Sequence, residues 1–158
     1  MIRNNSFTKP YNTAIFAYSV LKRLNSGNVN NFSQRFLSQK YQYFAQVFGV
    51  SPHYIFNLYL NGPYSPSLTQ DLFKMHEDGV KVNAGKFIAD DLEKQFVQLE
   101  KFLDGKKLRE LELVATLHWL FKVVGLPMEK AEKRLADLKD ATSSEFKYAM
   151  NSIKKLPK

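Results

Sequence analysis

Apolar side chains recur at helical spacing along most of the chain. Ala14, Ala17, Tyr18, Leu21 and Leu24 predict a helix from Asn12 to Leu24, ended by the turn residues Asn25-Ser26-Gly27-Asn28. A second helix is expected from Ser33 to Phe48. Phe36, Lys40, Tyr43, Phe44 and Val47 fall on one side of it, and Gly49 supplies a left-handed stop. The period then changes to two. Tyr54, Phe56, Leu58 and Leu60 alternate with Ile55, Asn57 and Tyr59, predicting a strand that breaks at Asn61-Gly62-Pro63. Ser65 with Pro66 reads as the cap and first position of a third helix, with Leu68, Leu72 and Met75 inside and Gly79 at its end. Val80-Lys81-Val82 is short enough to be either coil or a partner for the Tyr54–Leu60 strand.

From Lys86 the pattern is helical to the end. Ile88, Leu92, Phe96, Leu99 and Phe102 mark a fourth helix that stops at Asp104-Gly105. Leu108 to Val124 is apolar nearly all round and predicts a central fifth helix. Pro127 starts a sixth, with Met128, Ala131, Leu135 and Leu138 inward. Thr142-Ser143-Ser144-Glu145 has the spacing of a capping box and opens a seventh over Phe146, Met150 and Ile153. The expected fold is mostly α: a winged-helix-like N-terminal half (11–85) with a minimal β-hairpin or short strands, and a C-terminal helical bundle extension (86–156). Residues 1–158 are read as a single domain, with 1–10 a loose arm.

Charge changes this picture. No Asp or Glu precedes Asp71, so residues 1–70 carry Arg3, Lys9, Lys22, Arg23, Arg35 and Lys40 unopposed, a net of +6. The remaining 88 residues balance 17 cations against 15 carboxylates. A positive face attracts phosphates and acidic proteins alike. Arg3, Lys9, Lys22, Arg23 and Arg35 are therefore the candidate nucleic-acid or anion-binding residues. The expected partners are DNA or RNA, or alternatively an acidic protein. Lys40 lies on the apolar stripe of its own helix and needs a carbonyl or carboxylate partner, for which Asp71 is the candidate.

Catalytic chemistry finds little support. There is no Cys, which excludes disulfides and thiolate sites. His53, His76 and His118 share no metal-ligand spacing, and His118 on the most apolar helix suits a hydrogen-bonded core position. No P-loop, nucleophile elbow or dinucleotide fingerprint occurs, so neither a metal nor a cofactor is expected. No apolar run approaches the roughly 18 residues of a membrane span, and Met1 to Asn5 lacks the apolar core of a signal peptide, so the expected location is cytoplasmic.

Three segments carry a family resemblance. Tyr59, Gly62-Pro63-Tyr64-Ser65, Leu68 and Asp71 resemble the "Y-x-x-G-P-Y-S-x-x-L-x-x-D" core of the YwgA-like uncharacterised proteins. Leu37 to Tyr41, with Gln39-Lys40, is similar to the family's "L-Q-K-L" helix. Leu111 to His118 resembles its "L-E-L-x-A-T-L-H" helix. A looser similarity runs to the SocA-like antitoxin-associated domain. The resemblance implies a winged-helix-like N-terminal half and DNA-linked regulation, with Lys40, Gly62, Pro63, Tyr64, Ser65, Asp71 and His118 as motif and structural positions. With no catalytic motif visible, the expected function is a non-catalytic regulator linked to nucleic acid through the basic first half, or alternatively an antitoxin-like module that binds an acidic protein. The Gly-Pro turn and Ser65 also offer two readings by themselves, a helix cap or an anion site at a helix N-terminus.

Overall fold

The computed structural model describes residues 7–87 and 89–158. Chain order is α1 (Tyr11–Arg23), α2 (Phe32–Val47), β1 (Asn57–Tyr59), β2 (Gly62–Tyr64), α3 (Pro66–Glu77), α4 (Asp90–Leu103), α5 (Leu108–Trp119), α6 (Met128–Lys139) and α7 (Ser143–Ile153). A π-helical turn, Leu120–Val124, continues α5. The protein is thus mostly helical with one small antiparallel sheet, as the patterning predicts. No helix among the described residues is long and apolar enough to cross a membrane.

The helix boundaries follow local chemistry. Asn31 caps α2 by accepting from Gln34 N, and Ser65 caps α3 with Pro66 next to it. Asp90, Asp91 and Glu93 crowd the first turn of α4, where the helix dipole favours negative charge. Thr142 and Glu145 form the expected capping box of α7.

Packing centres on α2 and α5. Helix α5 touches α2, β2, α6 and α7, while α2 also meets α1, α3 and α4. One apolar cluster runs unbroken from Ala14 through Phe44, Leu68, Leu99 and Leu117 to Leu156. Within it the Phe102 ring centroid lies 5.1 Å from that of Phe44 and 5.5 Å from that of Phe48.

Several expectations need correction. The strand partner of Asn57–Tyr59 is Gly62–Tyr64, not Val80–Val82, with Asn57 opposite Tyr64 and Tyr59 opposite Gly62. Neither turn residue has positive φ, whereas Gly62 takes φ +89° and re-aims the chain at the start of β2. The predicted fifth helix ends its regular winding at Trp119. The π-helical turn adds a residue to the coil there and leaves Val123 and Val124 more than half exposed. Met128, expected inside, is also exposed. Of the expected loose arm, residues 1–6 lie outside the described residues, as does Ile88. Thr8 and Lys9 are held firmly: both backbone amides and the Thr8 hydroxyl donate to the Asp71 carboxylate.

Candidate functional site

The three motif segments converge on the β1–β2 hairpin. From α2, the fully buried Gln39 holds Ser65 by both edges of its side-chain amide. Ser65 N donates to Oε1 at 2.8 Å, and Nε2 donates to Ser65 O at 2.9 Å and to Thr69 Oγ1 at 2.8 Å. The next residue, Lys40, donates from Nζ to Pro63 O at 2.6 Å. From α5, Thr116 Oγ1 closes on Gly62 so tightly that a Cβ there would lie 2.7 Å away. Glu112, one turn earlier, pairs at 2.8 Å with Lys139 of α6, whose Nζ also donates to Leu60 O.

The expected Lys40–Asp71 contact is therefore absent. Lys40 points from α2 towards the hairpin, where a carbonyl and not a carboxylate receives it. Asp71 faces the other way, accepting from Thr8, Lys9 and the Tyr54 hydroxyl (2.9 Å). Lys40 is fully buried, and its phenyl neighbour Phe36 lies with its ring centroid 4.5 Å from Nζ. Burial pushes its ammonium down to about 7, Glu112 opposing this and Lys139 adding to it.

Ser65 is a structural cap. It is fully buried, its amide is taken by Gln39, and its Oγ accepts from Leu68 N at 3.4 Å. Tyr64 bonds Thr69 Oγ1 through its hydroxyl at 2.6 Å. His118 and the Tyr43 hydroxyl are 2.7 Å apart at Nδ1. Burial, with Lys122 nearby, pulls the His118 imidazole down to about 4. With the ring neutral, the tautomer decides which of the two donates: the tyrosine hydroxyl when the ring proton is on Nε2, Nδ1 when it is there.

The described candidate cations of the first half each contact neighbouring groups of the fold. Arg23 is engaged most deeply. Its guanidinium is paired with Glu93, one contact being 2.6 Å, and lies 3.9 Å from the Phe96 ring centroid. Hydrogen bonding from Arg23 holds the Glu93 carboxyl down at about 2. Lys22 donates to Asn28 Oδ1 at 2.8 Å and lies over Tyr18. Arg35 donates to Val29 O at 3.0 Å, with the Phe73 ring 6.0 Å from its guanidinium. Lys9 lies over Tyr54. Arg3 falls outside the described residues.

Two clefts flank the clamped hairpin. One, of about 290 Å³, lies among Phe32, Arg35, Phe36, Tyr59, Leu60, Asn61 and Tyr64, with no carboxylate in its walls. Leu60 at its rim is 87 % exposed, and Phe32 and Tyr59 are exposed too. The other, of about 360 Å³, has Leu58, Leu120, Val124 and Leu126 as its floor and Lys130, Lys133, Arg134 and Asp137 of α6 along one side. A third cleft of about 450 Å³ beside α4 mixes Arg23, Lys101 and Lys106 with Glu100 and Asp104, so its charges largely cancel. Among the described residues, no group of three or more His, Cys, Asp or Glu side chains could hold a metal ion.

The sequence pattern picks out Lys40 and the Gly-Pro turn and names Gln39 within a motif helix, but gives Gln39 no role and passes over Lys139. Gln39 carried its signal in that motif. Lys139 had none, because its carbonyl partner lies 79 residues away in sequence. No family model, no curated protein and no solved structure matches the chain.

Proposed function

We propose that this chain is a non-catalytic protein-interaction module that acts in the cytoplasm and presents the β1–β2 hairpin to an acidic protein partner. The kinship with YwgA-like and SocA-like proteins belongs to the same proposal. One observation carries it: Tyr59 and Leu60 stand exposed on a backbone that Lys40 and Lys139 fasten to the helical core. Exposed apolar groups on a rigid support bind at little cost in ordering. Arg35 in the adjoining cleft, unopposed by any lining carboxylate, favours an acidic partner.

Nucleic-acid binding through the first-half cations is the competing reading. It is weakened at Arg23, which Glu93 already neutralises, and at Lys22, which donates to Asn28. The test is affinity capture with the tagged chain and with its Leu60→Asp/Tyr59→Ser variant, both checked for native helicity. The reading predicts a defined protein partner that survives a wash at about 0.5 M salt on the native chain and is lost on the variant. Capture of nucleic acid alone, released at about 200 mM salt, would contradict it.

A further inference from the structure

Beside the hairpin, a groove distinct from the Leu60 cleft is lined by Leu58, Leu120 and Val124 together with cations of α6. Lys130, Lys133 and Arg134 occupy positions i, i+3 and i+4 of α6, so they project from one face of the helix. All three are exposed, and none forms an ion pair among the described residues. Asp137, the single carboxylate in the wall, lies one turn on from Lys133 and Arg134 without pairing with either, so three cations face one carboxylate there. They differ in this from Arg23, whose guanidinium is paired with Glu93. The π-helical turn that carries Val124 to the surface is what makes the groove, since regular winding there would have continued the buried stripe of α5.

We infer that this groove takes an amphipathic acidic segment of a partner protein, apolar side chains on the floor and carboxylates against Lys130, Lys133 and Arg134. An apolar floor alone fits many occupants. The charge complement selects among them: a basic segment is repelled and a neutral one leaves three cations without counter-charge. A helix laid in a groove meets both requirements, because its apolar and acidic positions separate onto different faces. The inference rests on the interaction-module reading and adds a second contact surface to it.

The probe is a synthetic peptide of about 16 residues, Leu at helical spacing and Glu between, labelled for anisotropy against the full chain. A peptide with Lys for every Glu serves as its counterpart. The expected result is binding of the acidic peptide alone, weakened about 5–10-fold by Lys130→Gln/Lys133→Gln/Arg134→Gln and likewise by Val124→Asp. All four positions are exposed, so the fold tolerates these changes. Equal binding of the two peptides, or acidic-peptide binding indifferent to the variants, would overturn the inference. Mixed-sequence RNA that binds the native chain and is lost on the same variants would overturn it too, making the wall a phosphate surface. Leu60→Asp leaves the peptide result unchanged. A failed groove alongside partner capture that still depends on Leu60 therefore refutes this inference and leaves the module reading standing, whereas loss of both refutes both.

Discussion

Lys40 Nζ donates to the Pro63 carbonyl at 2.6 Å from a position with no solvent exposure. This bond joins the middle of α2 to the middle of the hairpin and sets where Tyr59 and Leu60 stand. It also makes the hairpin sensitive to pH. Burial lowers the Lys40 ammonium from an ordinary 10.5 to about 7, so between those values the unfolded chain binds the proton more readily than the folded one. Stability therefore rises with pH across that window, and the part lost below about 7 is the cost of a buried charge. Urea unfolding from about pH 7 to 9.5 should show an upward slope in the native protein that Lys40→Met flattens.

Gly62 is the second fixed point. Its φ of +89° disfavours any L side chain, and a Cβ would meet Thr116 Oγ1 at 2.7 Å and Lys40 Nζ at 3.3 Å. Gly62→Ala should cost about 1–3 kcal/mol in chemical denaturation. Thr116→Ala placed in the Gly62→Ala background should recover part of the loss, because it removes the nearest atom. The Thr116 hydroxyl has no hydrogen-bond partner to forfeit.

His118 should titrate far below an ordinary imidazole. Its folded value of about 4 lies beneath the ordinary 6.5, so protonation favours the unfolded chain. The stability His118 contributes is complete above 6.5 and is lost as pH falls from there through about 4. An NMR titration of its ring protons checks the midpoint. A midpoint near 6.5 in the folded protein would contradict the buried Tyr43–His118 pair.

Asp71 gathers Thr8, Lys9 and Tyr54 onto α3. Asp71→Ala leaves those donors without an acceptor and should cost about 2–4 kcal/mol. The same variant should make the chain before Tyr11 more open to protease in limited digestion, read by mass spectrometry of the fragments.

The helices were legible because their signals are local. Asn31 and Thr142 act within one turn, and the apolar stripes of α1, α3 and α7 repeat at a spacing that needs no tertiary information. Pairings across the fold were not legible. Lys40 and Asp71 were expected to pair between their two helices, yet Lys40 is received by the Pro63 carbonyl and Asp71 by Thr8, Lys9 and Tyr54. The run from Leu108 to Val124 keeps its hydrophobicity through the π-helical turn, so nothing in the pattern warns that Val123 and Val124 leave the core. The acid-free first half gives a true charge count, but not which of its cations meet a carboxylate from the second half. Glu93, 70 residues away in sequence, neutralises Arg23, while the unpaired Lys130, Lys133 and Arg134 lie in the half that looked balanced.

The assignment of the first-half cations to the fold, and of recognition to the hairpin, is tested most directly by fluorescence anisotropy. Mixed-sequence DNA and RNA would be titrated with the native chain and with Lys22→Gln/Arg35→Gln at about 50 and 200 mM salt. Arg23 is left intact because its loss would strand Glu93. Both proteins should give the same weak signal at each salt. Tight binding at the lower salt that collapses at the higher one, and that disappears in the double variant, would contradict it and return those cations to nucleic acid.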